Sequence, residues 1–161
     1  VFFYQELIVE DKPFTKGYSV DNLELRITDE EGHLSAKFNS PSLIRYTDSE
    51  TVLIQKPALI TYELGKQDWL FNSISAEYNH KLNEVKLVEQ VRASTQAKDA
   101  KINFSSNDLI INLKSKLAQT ENGISVDKEL FSMTGDSARF DLKNDKIEVK
   151  NNVKVIYKSP K

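Results

Sequence analysis

Apolar and polar residues alternate at period 2 through nearly every segment of this chain. Successive side chains of a strand point to opposite faces, so this is the pattern of strands with one face in a core and the other in water. Leu23, Leu25 and Ile27 alternate with Glu24 and Arg26, Asp29-Glu30-Glu31-Gly32 supplies a turn, and Leu34, Ala36 and Phe38 alternate with Ser35 and Lys37. The segment predicts a hairpin. Further strands are expected at 43–46, 52–56, 59–62 and 68–72. With 5 Gly and 4 Pro in 161 residues, turns fall mostly to Asn, Asp and Ser. Asn122-Gly123 suits the positive-φ positions of a type I′ turn, Asn144-Asp145 less comfortably, and Gly65 reads as part of a looser loop.

The stretch 82–98 is ambiguous by periodicity. Leu82, Val85, Val88 and Val91 recur every third residue, which an amphipathic helix would also produce. An internal repeat decides for strand. Residues 75–92 align without a gap on 137–154, pairing Ser75-Ala76 with Ser137-Ala138, Tyr78 with Phe140, Val85 with Ile147 and Val91 with Val153. The second copy is β-branched and alternating, a strand pattern, and the first copy inherits that reading. A weaker third copy starts at Ser106, 31 residues from both Ser75 and Ser137. Units of about 30 residues cannot bury an apolar face alone and must stack. The expected architecture is all-β and antiparallel, a long rolled sandwich or half-barrel with two open sheet edges.

Composition removes whole classes of function. With Lys plus Arg at 22 and Asp plus Glu at 24, the net charge of −2 offers no field for nucleic acid. There is no cysteine for thiolate chemistry, and His33 and His80 are too few for a multi-histidine metal site. No nucleophile elbow, phosphate-cradling glycine loop or zinc-protease helix occurs, so neither catalytic residues nor a cofactor are expected. Val1-Phe2-Phe3-Tyr4 is too short for a membrane span, and with no Met at position 1 the chain reads as processed or truncated. Aromatic residues fall about one per strand. They fill an ordinary core, or they line an apolar groove between sheets that do not close.

The segments Pro57-Ala58-Leu59-Ile60-Thr61-Tyr62, Asp68-Trp69-Leu70-Phe71 and Glu84-Val85-Lys86-Leu87-Val88-Glu89-Gln90-Val91 resemble the LptC family of lipopolysaccharide-export proteins. So do 23–38 around Gly32, the glycines Gly123 and Gly135, and the ending 147–157. Where that family often has Gly-Asn after the second strand of the unit, this chain has Glu89-Gln90 and Asn151-Asn152.

The resemblance implies an open, twisted β-jellyroll at 18–157, preceded by a segment 1–17 that follows a missing membrane anchor and trailed by a short tail, 158–161. It implies no enzymatic activity. The periplasmic domain of a single-pass inner-membrane protein would receive lipopolysaccharide from the LptB–LptF–LptG extractor at its N-terminal edge. It would pass the lipid to LptA at its C-terminal edge. Positions matching the lipid-lining strands are Leu23, Leu25, Ile27, Ile54, Ile147 and Val149, with Tyr78 and Phe140 added by repeat phase. Val153, Val155 and Tyr157 match the strand that meets LptA, and Gly32 and Gly123 match turn glycines. Two alternatives stand beside this reading: a free periplasmic lipid carrier of the LptA or lipocalin kind, and a carbohydrate-active jellyroll enzyme. The enzyme would need paired inward carboxylates.

Overall fold

The computed structural model describes residues 17–46, 48–95 and 101–159. The chain runs β1 (Gly17–Thr28), β2 (Leu34–Tyr46), β3 (Thr51–Gln55), β4 (Ala58–Glu63), β5 (Lys66–Asn72), β6 (Ser75–Asn79) and β7 (Glu84–Thr95). It continues as β8 (Ile102–Asn112), β9 (Leu117–Thr120), β10 (Ile124–Lys128), β11 (Phe131–Gly135), β12 (Ser137–Asp141), β13 (Lys146–Lys150) and β14 (Lys154–Tyr157). All pairings among them are antiparallel, and no helix occurs among the described residues.

Long strands change partner midway. β2 pairs with β4 over 36–39 and with β3 over 42–45. β7 pairs with β6 over 84–88 and with β5 over 92–95, and β8 pairs with β9 over 110–112 and with β10 over 102–106. One hydrogen-bonded sheet is thereby folded into two layers. The first layer is β1-β2-β4-β5-β7-β8-β10-β11-β14, and the second is β1-β2-β3-β6-β7-β8-β9-β12-β13.

The fold line is where the backbone leaves the extended region. Asn22, Glu89, Gln90, Gly123, Asn151 and Asn152 have positive φ there. The ladder nevertheless continues around it: Lys56 N–H donates to Ile74 O (2.8 Å), Ile74 N–H to Glu89 O (3.0 Å), Gly123 N–H to Asp136 O and Asp136 N–H to Asn151 O (both 2.9 Å). Ser40 Oγ accepts the Ser42 N–H and donates to the Gln55 carbonyl, securing the bend of β2 beside Pro41.

The repeat is visible in the backbone. Asn83 and Asp145 share a φ of 53°, Glu89-Gln90 (65°, 51°) superpose in phase on Asn151-Asn152 (67°, 53°), and the bonds Ile74–Glu89 and Asp136–Asn151 are the same bond in two copies. The left-handed pair explains why Gly and Asn suit those positions. The stretch 84–95 is strand, as the repeat required. Each copy lays two strands in the second layer and then up to two in the first, and the run from β2 to β5 follows the same order. That earlier copy carries no sequence echo strong enough to read.

Two turn assignments need correction. Asn122-Gly123 is not a two-residue hairpin: Gly123 has φ 93°, Asn122 does not have positive φ, and the pair carries the chain from β9 in one layer to β10 in the other. The two-residue type I′ loop is Leu64-Gly65 (φ 51° and 80°), which joins β4 to β5. Gly32 has φ 87° in the β1–β2 turn, where Asp29 Oδ1 accepts the backbone N–H of Glu31 and His33.

Candidate functional site: an apolar row between two open edges

Across the first layer, cross-strand partners form one inward row, Leu25, Phe38, Leu59, Phe71, Ala93, Phe104, Val126 and Met133, which the exposed Val155 continues in register at the edge. Across the second, Val52, Tyr78, Val85, Ile111, Ala118, Phe140 and Ile147 do the same. The alternation of each strand thus adds up to a continuous apolar face in each layer. The faces meet at Phe104 and Phe140, and Phe38 approaches Tyr78 at 6.1 Å between ring centroids.

All eight expected lining positions belong to this interior. Ile27, Ile54, Tyr78 and Phe140 are buried, while Leu23 and Leu25 on β1 and Ile147 and Val149 on β13 are partly buried and pack against the core. Their neighbours Glu24, Gln55 and Glu148 are exposed. The interior is closed, however. Phe38, Ile54, Leu59 and Phe71 are wholly covered, so side chains occupy the place of the expected apolar groove. A depression of about 680 Å³ lies instead by the second layer, between residues such as Ile110, Gln119, Arg139 and Glu148. Sequence reasoning did not single out Phe38, Phe104, Val126 or Met133 as members of the row. Each shows strand alternation, but parity within one strand does not reveal which neighbour it will face.

The side opposite the fold line is the mouth, where the turns of the two layers face each other. Trp69 Nε1 donates to Leu142 O (3.3 Å), Lys116 Nζ donates to Ser35 O and Oγ (both 3.2 Å), and Lys114 Nζ stands 3.5 Å from Glu30. Burial pulls the Lys116 ammonium below its ordinary pKa, opposed by the charges of Glu63, Asp68 and Asp29. Burial also raises the Tyr78 phenol. His33 is exposed, 3.6–3.7 Å from Glu31 and Asp29, and no group suited to a metal ion occurs among the described residues.

Both ends of the row are edges. Among the described residues, no strand pairs the outer side of β1, β13 or β14. In β14, Lys158 N–H donates to Leu130 O (2.6 Å), which fixes the alternation. Ile156 therefore points its N–H toward β11, and Val155 and Tyr157 point theirs to the free edge. Tyr157 is 80% exposed and its ring lies 5.9 Å from that of Phe131. Val153 precedes the strand rather than belonging to it, because Asn151-Asn152 at positive φ are still turning the chain. Pro160 lies outside the described residues.

Curated proteins give no match. Among solved structures, the chain is similar to LptH of Pseudomonas aeruginosa, described as the LptA-homologous periplasmic component of the conserved lipopolysaccharide transport device. The TM-score is 0.64 at 6% identity, covering 77% of this chain and 95% of that one. At that identity the likeness concerns the fold, an LptA-like β-jellyroll. The family model for lipopolysaccharide-assembly, LptC-related proteins matches residues 4–158. A two-layered open jellyroll with an edge-to-edge apolar interior, matched over nearly its whole length, belongs to the LptC family.

Proposed function

We propose that this protein carries lipopolysaccharide across the periplasmic side of the inner membrane, holding the acyl chains between its two layers. The observation that carries the reading is the row from Leu25 to Val155, which crosses nine strands unbroken by a charged side chain. Sheltering each methylene is worth about 0.8 kcal/mol, so even part of an acyl chain can compensate for parting the aromatic contacts. In this reading the LptB–LptF–LptG extractor delivers at the β1 edge, and LptA receives at the β14 edge by strand addition. The carrying domain is 18–157, tethered through the segment before it.

Photo-crosslinking tests this. Crosslinking residues at Leu25, Ile54, Phe140 and Ile147 should capture lipopolysaccharide, and those at Glu24, Gln55 and Glu148 should not. Equal capture on both faces would refute the interior as the binding site. The likeness to an LptA homologue favours a second reading, a freely diffusing carrier. The reading frame upstream of Val1 separates the two: an uncleaved apolar helix fits the tethered protein, a cleavable signal the free one.

A further inference from the structure

The two lips of the mouth differ in charge. Between β1 and β5 the first-layer lip carries Asp29, Glu30, Glu31, Glu63 and Asp68, with Lys66 the exception. The second-layer lip intersperses Lys81, Lys114, Lys116, Lys143 and Lys146 with Asp48, Glu50, Glu84, Asp141 and Asp145, so it lacks the acidic excess of the first.

Three of these lysines occupy one equivalent position in three turns. Asn79 Oδ1 accepts the N–H of Lys81 and Leu82, Asn112 Oδ1 accepts those of Lys114 and Ser115, and Asp141 Oδ1 accepts that of Asn144. Each turn closes on a residue of positive φ: Asn83, Lys116 or Asp145. The lysine stands second after the capping residue every time: Lys81, Lys114, Lys143. The turns follow successive strand pairs of the second layer, so the lysines recur about every 9–10 Å.

In the closed molecule Lys81 is paired with Glu50 at 2.8 Å, while Lys114 and Lys116 hold weaker partners. The Lys114–Glu30 pair is 3.5 Å long with both side chains largely exposed, and Lys116 Nζ is satisfied by the neutral oxygens of Ser35. Exposed pairs of this kind contribute little, whereas a phosphate offers several charged acceptor oxygens to an ammonium. Together with the Trp69 Nε1 bond to Leu142 O, Lys114 and Lys116 bring the second lip onto the first.

We propose that the second-layer lip is a phosphate-binding rail on which Lys114, Lys116 and Lys143 engage the phosphates of the amphiphile's headgroup. Engagement withdraws Lys114 from Glu30 and Lys116 from Ser35, so the headgroup unlatches the mouth through which its own acyl chains enter. This rests on the carrier reading above and adds the polar half of the ligand's site.

The chain contains no cysteine, so Glu31→Cys/Ser115→Cys gives two spin-labelling sites, one on each lip. The full chain is titrated with lipopolysaccharide, with the same preparation stripped of its phosphates, and with inorganic phosphate. Intact lipopolysaccharide should lengthen the label separation and bind about tenfold more tightly than the stripped form. Inorganic phosphate alone should not open the mouth. Lys114→Gln/Lys116→Gln should erase the tenfold preference, and Lys114→Arg/Lys116→Arg should keep most of it at an unchanged melting temperature. Equal affinity for the two lipid forms, or equal opening by both, would remove the rail and leave the carrier reading standing. Opening by inorganic phosphate alone would make the lip an ion site and overturn the headgroup assignment. Failure of both lipid forms to bind would overturn the carrier reading and the rail together.

Discussion

Phe104 of β8 and Phe140 of β12 stack nearly parallel, ring centroids 4.1 Å apart at an interplanar angle of 14°. They belong to different layers, and Trp69 and Phe71 extend the cluster at 5.4 and 6.2 Å from Phe104. Any acyl chain passing along the interior has to separate this pair. Phe140→Ala should lower stability by about 3–5 kcal/mol, measured by denaturant unfolding. Phe140→Leu, which keeps most of the volume, should cost about half as much and retain lipid capture. A loss under 1 kcal/mol for the alanine variant would mean the layers are not held here.

Gly135 answers to a close approach rather than to backbone handedness. A Cβ built there would stand 2.3 Å from Val149 Cγ1, far inside contact distance. Gly135→Ala should therefore lower the melting temperature, and Gly135→Ala/Val149→Ala should recover part of the loss. The coupling expected of neighbours in contact is about 1–2 kcal/mol. Additive effects in the double-mutant cycle would show that the backbone, not Val149, resists the side chain.

Proline distinguishes the two sides of β14. Val155→Pro removes an N–H aimed at the free edge and should leave the melting temperature within a few degrees of the parent while abolishing capture by LptA. Ile156→Pro removes a ladder bond to β11 and should destabilise the C-terminal edge. Retained capture by the Val155 variant would place docking elsewhere.

Leu64 is 94% exposed with φ 51°, one residue before Gly65 at φ 80°. A leucine gains nothing from burial there and takes a conformation that asparagine tolerates better. Leu64→Asn should stabilise the protein by about 0.5–1 kcal/mol, read as a rise in melting temperature. Gly65 and Gly123 both have positive φ with open space around the missing side chain, so substituting either should strain the backbone alike. The looser loop expected at Gly65 does not exist.

Parity is what made the interior legible. Leu23, Leu25, Ile27, Ile54, Ile147 and Val149 follow from period-2 alternation and family resemblance, and Tyr78 and Phe140 from the phase of the repeat, because face choice in a strand is binary. Layer membership is different. Nothing local in β7 or β8 announces that its two halves have different partners, since the switch depends on residues such as Glu89-Gln90 turning left-handed without a glycine to mark them. The mouth was equally hidden. Lys116 meets Ser35, and Trp69 meets Leu142, only after the sheet has folded over, at separations in sequence that no periodicity encodes.

The repeat makes the reach of this chain a countable quantity. The stretch 106–136 contributes β9, β10, β11 and the second-layer half of β8, two strands to each layer. Duplicating it would set the terminal edges about 9–10 Å farther apart while leaving the residues at each edge unchanged. Duplicating it with one residue too many would turn every later side chain to the wrong face. Whole copies therefore lengthen such a fold without disturbing its parity, a ruler graduated in strand pairs.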